Sequence, residues 1–437
     1  MKIIKQGSAI LIITSAISVL LGLLRDRLLA GRFGASGDLD IYYAAFKIPD
    51  FIYAIVIGGG ILVAFLPVFA QQYKENEQSA WKLANNVLNI FFIFLVLGSI
   101  LLFLLAPILI QFVAPGFSIE QKSLAIFLTR ILFLSPIIFG VANLFSSILN
   151  HFHKFLVYGL GPVFYNLGII FGILYLTPKY GVLGIVLGVI FGAFLFLITK
   201  IPSIYQCGFR YELLVDFKDE QMKKIFKLMI PRVLSAGASQ INWIVMTALA
   251  SLLGAGAISV FNFSNNLQLM PQQIVAFSIA TAAFPLLAKN SNIENIKDFL
   301  QGFWYSFEKI ILLTAPLALA LFIFSTPIIK IILMTGKFSL ASVEITAMLL
   351  KIFSLSIVFN SLYSLVVRAF FALHDTKIPT LTTFLGVLAN VLLAMFFLFY
   401  FFSGTERIYG LALAFSISSI FEFCLLFLLL RKKIKNF

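Results

Sequence analysis

Apolar residues in this chain fall into about twelve runs, each long enough to cross a lipid bilayer as a helix. About 20 apolar residues span the hydrocarbon core, and short polar segments separate runs of at least that length. The predicted spans are 6–31, 42–72, 81–110, 122–149, 156–176, 180–203, 226–252, 256–288, 303–329, 342–371, 378–402 and 406–430. The pattern predicts an all-α polytopic membrane protein.

The longest polar stretch, at roughly 204–226, divides the spans into two sets of six. The sets resemble one another at an offset of 221 residues, as in the pairs Ser118 and Ser339, Ser135 and Ser356, and His153 and His374. Two such halves predict two lobes related by a pseudo-two-fold axis, with a central cavity between them. Chance resemblance between Phe- and Leu-rich segments is the alternative. We expect an N-terminal lobe (1–205), a cytoplasmic linker with an amphipathic helix (206–225) and a C-terminal lobe (226–437).

Composition and charge narrow the class of protein further. Of the 437 residues, 61% are hydrophobic and 11% are charged, which is typical of a membrane protein and not of a soluble domain. The net charge of +14 comes from Lys and Arg in alternate loops, a pattern of cytoplasmic loops rather than of a nucleic-acid surface. An even number of spans then places both termini in the cytoplasm. We expect the first apolar run to be a span and not a cleaved signal peptide.

The chain lacks the side-chain patterns that indicate catalysis or a bound metal. Its two cysteines, Cys207 and Cys424, fit no disulfide or metal spacing, and no Cys or carboxylate stands at metal-ligand spacing beside its three histidines. No nucleotide-binding loop, nucleophile elbow or metalloprotease motif occurs. We therefore expect no catalytic residue, metal or cofactor. Glu422 in the last span is either a buried neutral carboxyl or a protonatable residue that couples transport.

Ionisable residues interrupt the first two spans, where a plain membrane anchor has none: Arg25, Asp26, Arg27 and Arg32, then Asp40, Lys47 and Asp50. An ionised side chain at bilayer depth costs at least ~3 kcal/mol and usually faces a partner or a wet cavity. We expect Arg25 to line such a cavity with Asp40 as its partner. The alternative is that Arg25, Asp26 and Arg27 form a structural salt-bridge cluster at the end of a helix. Lys47 and Asp50, three residues apart, either line the cavity or neutralise each other.

Glycine and proline positions predict that these helices bend. The run Gly58, Gly59 and Gly60 lies in the middle of the second span, and Pro49 precedes it. Glycine weakens a helix, and proline removes a backbone hydrogen bond from it. We interpret these residues, with Pro162 in the fifth span, as parts of a gate for alternating access.

Several segments carry a family resemblance. The first span reads GLLRDRLLAGRFGA, the second contains DIYYAAFKIPD and AFLP, and later segments include APGFS at 114–118, GPVFYN at 161–166, TGKFS at 335–339 and DTKIP at 375–379. In this order they resemble the MurJ (MviN) family of lipid II flippases, part of the multidrug/oligosaccharidyl-lipid/polysaccharide exporter superfamily. The resemblance extends over essentially the whole chain and is strongest at 18–70.

The resemblance implies a multi-pass protein of the bacterial inner membrane that moves undecaprenyl-pyrophosphate-linked peptidoglycan precursor, lipid II, to the outer leaflet by alternating access. It places Arg25, Asp40 and Lys47 around a cationic cavity, and Ser259 also falls on a family position. We expect Arg32 and Asn266 to belong to the substrate-binding set. The expected partners are lipid II, membrane lipid and a coupling ion, Na⁺ or H⁺, acting on a monomer.

Three positions depart from the family pattern. Val19, Tyr53 and Asn266 stand where the family commonly has cavity arginines. Twelve spans are expected, against fourteen in better-known members, whose last two are associated with a groove for the lipid tail. A flippase for another polyprenyl-linked oligosaccharide, a cation-coupled exporter of small molecules, and a membrane enzyme or structural partner of wall synthesis stay open as alternatives.

Overall fold

The computed structural model of the chain describes residues 2–55, 62–289 and 296–435, and over these it consists of helices and their connections, with no β-strand. The first half contains α1 (Lys2–Phe33), α2 (Gly37–Tyr53), α3 (Leu62–Glu75), α4 (Glu77–Val113), α5 (Ile119–Leu132), α6 (Leu134–His151), α7 (Phe155–Gly159), α8 (Gly161–Phe171), α9 (Thr177–Tyr180), α10 (Val182–Ile198) and α11 (Ile201–Gln206). The second half contains α12 (Glu220–Ser251), α13 (Ala257–Pro271), α14 (Phe277–Lys289), α15 (Ile296–Ile323), α16 (Ser325–Leu333), α17 (Leu340–Ser354), α18 (Ile357–Ala372), α19 (Lys377–Phe396) and α20 (Arg407–Lys435). Wider π-helical turns follow α8, α13 and α19, at Gly172–Leu176, Gln272–Ala276 and Phe397–Phe401.

Ten of the twelve predicted spans coincide with helical segments long and apolar enough to cross a membrane. Within the described ranges nine segments qualify singly, and α17 with α18, bent by 44° at their junction, makes a tenth. The other two predicted spans, 6–31 and 42–72, correspond to α1 and to α2 with α3. The predicted gate residues Gly58, Gly59 and Gly60 lie outside the described residues. The prediction of an all-helical polytopic membrane protein is confirmed.

The chain folds into two compact units. The N-terminal unit comprises residues 1–32 and 41–241, and the C-terminal unit comprises 33–40 and 242–437. Aromatic residues such as Phe65 and Phe69 form the core of the first unit, and Phe299, Phe303 and Phe370 do so in the second. The predicted linker at 206–225 lies inside the N-terminal unit, and the division between the units falls within α12.

Helices α8 and α10 pack closely in the N-terminal unit because glycines line both of their facing sides. A Cβ atom on Gly168 would lie 2.3 Å from the Cα of Gly192, and one on Gly172 would lie 2.6 Å from the carbonyl oxygen of Gly184. Gly184, Gly188 and Gly192 recur every four residues on one face of α10. Small residues at this spacing let membrane helices approach backbone to backbone. The close packing holds α8 in place against α10.

Local geometry repeats at the predicted offset of 221 residues. Ser118 and Ser339 each cap a helix, because each side chain accepts the backbone N–H three residues further on. His153 and His374 have positive φ angles of 57° and 58°, and among the described residues no other non-glycine residue does. Such a backbone conformation is rare outside glycine, so its recurrence at this offset supports the internal repeat.

The segment before α12 is an extended ribbon that three buried asparagines hold against α4. Asn86 accepts the backbone N–H of Asp216 at 2.7 Å and donates to its carbonyl at 2.8 Å. Its neighbours bind the ribbon further along: Asn85 pairs with the Glu212 N–H and the Arg210 carbonyl, and Asn89 donates to the carbonyls of Glu212 and Leu214. Residues 207–219 are therefore not helical, and the predicted amphipathic helix is confined to the first turns of α12.

Replacing Asn86 by alanine should release the ribbon from α4. Two hydrogen bonds of about 1 kcal/mol each are lost, so local opening should become about tenfold or more frequent. Trypsin cleavage after Arg210 and Lys218 measures that opening. Asn360→Ala in α18 is the control and should leave the cleavage rate unchanged. Equal rates for both variants would show that the asparagines do not restrain the ribbon.

The last turns of α20 are tied to the connection between α18 and α19 by an ion pair. Lys433 Nζ donates to Asp375 Oδ2 at 2.5 Å, and the two side chains are 26% and 16% exposed. Asp375 Oδ1 also accepts the backbone N–H groups of Lys377 and Ile378 at the start of α19. Partial burial alone would raise the pKa of Asp375, but the hydrogen bonds from Lys433 and these backbone groups outweigh it and lower the pKa.

We expect Lys433→Met to lower thermal stability in detergent by about 1 kcal/mol near neutral pH. Because the pKa of Asp375 is lower in the folded state, the contribution is complete above the ordinary carboxyl range, about 4, and is lost as pH falls through the folded-state value. The stability difference from the unmodified chain should therefore vanish in acid. Lys432→Met, at an exposed neighbouring position, is the control. A difference that persists in acid would contradict the assignment to this ion pair.

Candidate functional site

Arg25 in the second half of α1 is held by two side chains of the N-terminal unit. Its Nε and Nη2 donate to Asp26 Oδ1 at 3.0 Å and 2.8 Å, and its Nη1 donates to Asn166 Oδ1 at 3.1 Å. The Arg25 side chain is 21% exposed and that of Asp26 is 7% exposed. A guanidinium has five N–H donors, and these two partners accept three of them.

Asn166 of α8 fixes the orientation of Arg25, a role that sequence reasoning did not identify. The Asn166 amide nitrogen donates to the carbonyl oxygens of Ser18 and Pro162 at 3.2 Å and 3.0 Å. Its oxygen is thereby turned toward Arg25. The buried Tyr42 of α2 and the partly buried Tyr165 of α8 lie within electrostatic reach of the same guanidinium. The signal available in the sequence was a single amide within the apolar run GPVFYNLGII.

Asp40 binds the start of a helix instead of pairing with Arg25 as predicted. In the C-terminal unit its carboxylate accepts the backbone N–H of Gly256 at 2.6 Å, the backbone N–H of Ser259 at 2.7 Å and the Ser259 hydroxyl at 2.6 Å. It is 1% exposed. These N–H groups open α13, where the helix dipole favours a negative charge. Asp40 therefore caps α13 from another part of the chain, and the predicted Arg25–Asp40 pair is replaced by two separate sets of partners.

Gly256 is required for this arrangement. Its φ of +89° lies in the left-handed region, and a Cβ atom there would lie 2.6 Å from the carbonyl oxygen of Ala35. The backbone of the turn before α2 thus lies directly on the turn before α13, and Asp40 reaches the free N–H groups. The sequence analysis matched this glycine only as part of the repeat.

Other predicted site residues are distributed over α1, α2 and α13. Lys47 and Asp50 are partly buried on α2 and interact electrostatically, and Pro49 lies between them inside the helix. Arg32 is exposed in the last turn of α1, where a positive charge suits the helix dipole. Asn266 is partly buried on α13.

Two predicted site residues, and one position that departs from the family pattern, have mainly structural surroundings. Ser259 is fully buried against Asp40. Pro162 is in the first turn of α8, where a missing N–H costs little, and not at a kink inside the helix. Tyr53, at a position where the family commonly has arginine, packs edge-on against Phe139 with ring centres 5.7 Å apart.

Buried amides on α13 form a second polar feature that sequence reasoning missed. Gln268 Nε2 donates to Asn265 Oδ1 at 2.9 Å, and both side chains are buried. They lie beside Asn266, in the segment NFSNNLQLMPQQ. An unusual density of amides in one membrane span is the signal that would have found them.

The fold defines the class of protein. It matches a structure described as the inward-facing conformation of a multidrug resistance MATE family transporter of the MOP superfamily, with a TM-score of 0.78 over 96% of this chain and 95% of that chain. The sequence identity is 16%, so this likeness concerns the fold alone. The chain has the two-lobe fold of these membrane transporters.

Sequence comparison identifies the family within that class. Residues 29–437 match the family described as lipid II flippase MurJ, and the chain belongs to this family. A probable lipid II flippase MurJ of Buchnera aphidicola subsp. Acyrthosiphon pisum is 30% identical over 416 residues, 94% of this chain and 80% of that protein. A structure of lipid II flippase MurJ in an inward closed conformation matches with a TM-score of 0.82 and 28% identity, over 96% of this chain and 87% of that chain. The chain is therefore a multi-pass inner-membrane transporter and not an enzyme.

We expect Asp40→Ala to destabilise the protein by about 2–4 kcal/mol, because two backbone N–H groups and a hydroxyl lose a charged acceptor. Ser259→Ala removes one of these bonds and should cost about 1 kcal/mol. Thermal unfolding of the single and double variants in detergent measures both effects and their coupling. The exposed Asp38, two residues earlier, provides the control Asp38→Ala. Strictly additive effects of the Asp40 and Ser259 substitutions would argue against the cap.

Proposed function

We propose that this chain moves lipid II from the cytoplasmic to the outer leaflet by alternating access. The observation that supports the proposal best is Arg25, a membrane-depth arginine that is oriented by two partners and keeps two N–H donors for a ligand. A planar guanidinium binds a diphosphate through paired hydrogen bonds. The diphosphate–sugar–peptide head group cannot cross hydrocarbon unaided, so it needs such a donor along its path.

Further cationic and polar side chains complete the proposed binding set. Lys47 on α2 supplies a second positive charge, tempered by Asp50. Arg32, exposed at the end of α1, meets the head group at the end of the path, and Asn266 adds a neutral amide. Because Val19 and Tyr53 add no charge, Arg25 carries more of the diphosphate binding in this chain than it would in a site with additional arginines.

The proposed cycle uses the cap on α13 as a latch. With Asp40 bound to Gly256 and Ser259, the start of α2 is fixed on α13. Release of this contact, with bending of the second span at Pro49, lets the path open at its other end. The membrane potential supplies about 2.3 kcal/mol per charge per 100 mV. The chain acts as a monomer with both termini in the cytoplasm, and Na⁺ or H⁺ is the coupling ion.

Expression in a bacterium whose own lipid II flippase can be shut off tests the proposal. The unmodified chain should restore growth and the appearance of lipid II head groups in the outer leaflet. Arg25→Ala should abolish both, and Arg25→Lys should retain only part of the activity, because an ammonium lacks the paired donors. The readout is labelling of lipid II head groups at the outer surface of spheroplasts.

Arg130→Ala is the matched control, because it removes one arginine from α5 of the same unit without touching the candidate site. It should be inserted and active like the unmodified chain. Failure of an abundant, correctly inserted unmodified chain would overturn the proposal in favour of another polyprenyl-linked substrate. Full activity of Arg25→Ala would remove Arg25 from the mechanism.

A further inference from the structure

Glu422 is an isolated carboxyl in the middle of α20. Between Arg407 and Arg431, the other ionisable side chains are Tyr409 and Cys424. At 1.5 Å per residue Glu422 lies about 14 Å along the helix from Arg431 and about 22 Å from Arg407. An ionised carboxylate at such a depth costs about 3 kcal/mol or more, so its environment must either pair the charge or keep the group neutral.

Three helices converge on this carboxyl. It lies against the backbone of α19, where a Cβ atom on Gly386 would be 2.9 Å from its Cδ and Oε2 atoms. The hydroxyl groups of Tyr363 of α18 and Thr383 of α19 lie beside it. The Tyr363 and Thr383 hydroxyls are themselves 2.9 Å apart. Gly386, one turn after Thr383, leaves the space that the carboxyl occupies.

The surroundings offer hydroxyl groups to Glu422. None of the ion pairs in the described part of the chain includes Glu422. On the neighbouring helices, Lys351 of α17 lies over the Phe322 ring, and Arg368 of α18 donates to Ser364 and Thr281. Lys377 is in the first turn of α19, nine residues before Gly386. Tyr363 is thus the titratable group that faces Glu422. A neutral carboxylic acid, which both donates and accepts, fits two hydroxyl partners without a net charge.

We propose that Glu422, together with Tyr363 and Thr383, is a proton-binding site inside the membrane. The carboxyl holds its proton while α18, α19 and α20 are packed as described, and gives it to water when a rearrangement of these helices admits water. Only the ionised form needs that hydration, so proton loss and helix rearrangement are linked. The site supplies a chemical basis for proton coupling, and that part of the inference rests on the proposed transport function.

Infrared spectroscopy of the full-length protein in liposomes tests the site without any transport. The unmodified chain should show, near neutral pH, a protonated-carboxyl C=O band that Glu422→Gln removes. Tyr363→Phe should shift the frequency of this band, because a hydroxyl group beside the carboxyl is lost. Glu344→Gln, at an exposed carboxyl of α17, should leave the band unchanged. Absence of a Glu422-dependent band, or a band that responds to sodium and not to pH, would overturn the proposal.

Transport measurements then test the coupling. Lipid II translocation by the unmodified chain in liposomes should change with pH, and translocation by Glu422→Gln should be independent of pH over the same range. A pH response that is identical in the two proteins would overturn the coupling. If the unmodified chain translocates no lipid II, the proposed function fails, and the infrared band still decides whether Glu422 binds a proton.

Discussion

Hydrocarbon offers no hydrogen-bond partner, so each polar side chain that this chain carries into the membrane depends on a partner within the protein. Arg25 meets that demand with Asp26 and Asn166, and Asp40 meets it with the first N–H groups of α13. Asn166 lies on α8, which packs closely on α10, and Asp40 binds a turn that requires Gly256. A polar side chain that needs a hydrogen-bond partner fixes the helix that carries it relative to the helix that carries the partner. The polar contacts therefore also determine which apolar side chains pack together.

The two halves of the chain satisfy this demand in parallel ways. Ser135 and Ser356 each donate to the carbonyl three residues earlier, at 2.8 Å in both cases. Asn166 reaches back 148 residues to Ser18, and Asn390 reaches back 148 residues to Asn242. The same long-range amide contact thus occurs once in each unit. In the first unit it is extended to hold Arg25, so one copy of a structural contact supports the candidate site.

Membership of the lipid II flippase MurJ family and the geometry of Arg25 bear on different parts of the mechanism. The family indicates which substrate to test, and the geometry of Arg25 indicates which side chain to substitute in that test. In the proposed mechanism, a diphosphate binds beside the Asp26 carboxylate as well as beside the Arg25 guanidinium, because these two side chains form an ion pair. Binding is then weaker than at an unpaired arginine, which suits a carrier that must also release its cargo.

The sequence by itself determined the features that depend on composition and period. Long apolar runs need bilayer-length helices, and matched residues 221 apart indicated the repeat, down to His153 and His374. The sequence did not reveal which side chains contact one another. Only the tertiary structure paired Asp40 with α13 and Arg25 with Asn166, laid residues 207–219 along α4 as a ribbon, and placed Gly386 beside Glu422. The length and hydrophobicity of an apolar run can be read directly from the sequence, and they predict a membrane span. A hydrogen bond depends on which helices meet and at what register. No local sequence pattern shows that two residues more than a hundred positions apart will form one.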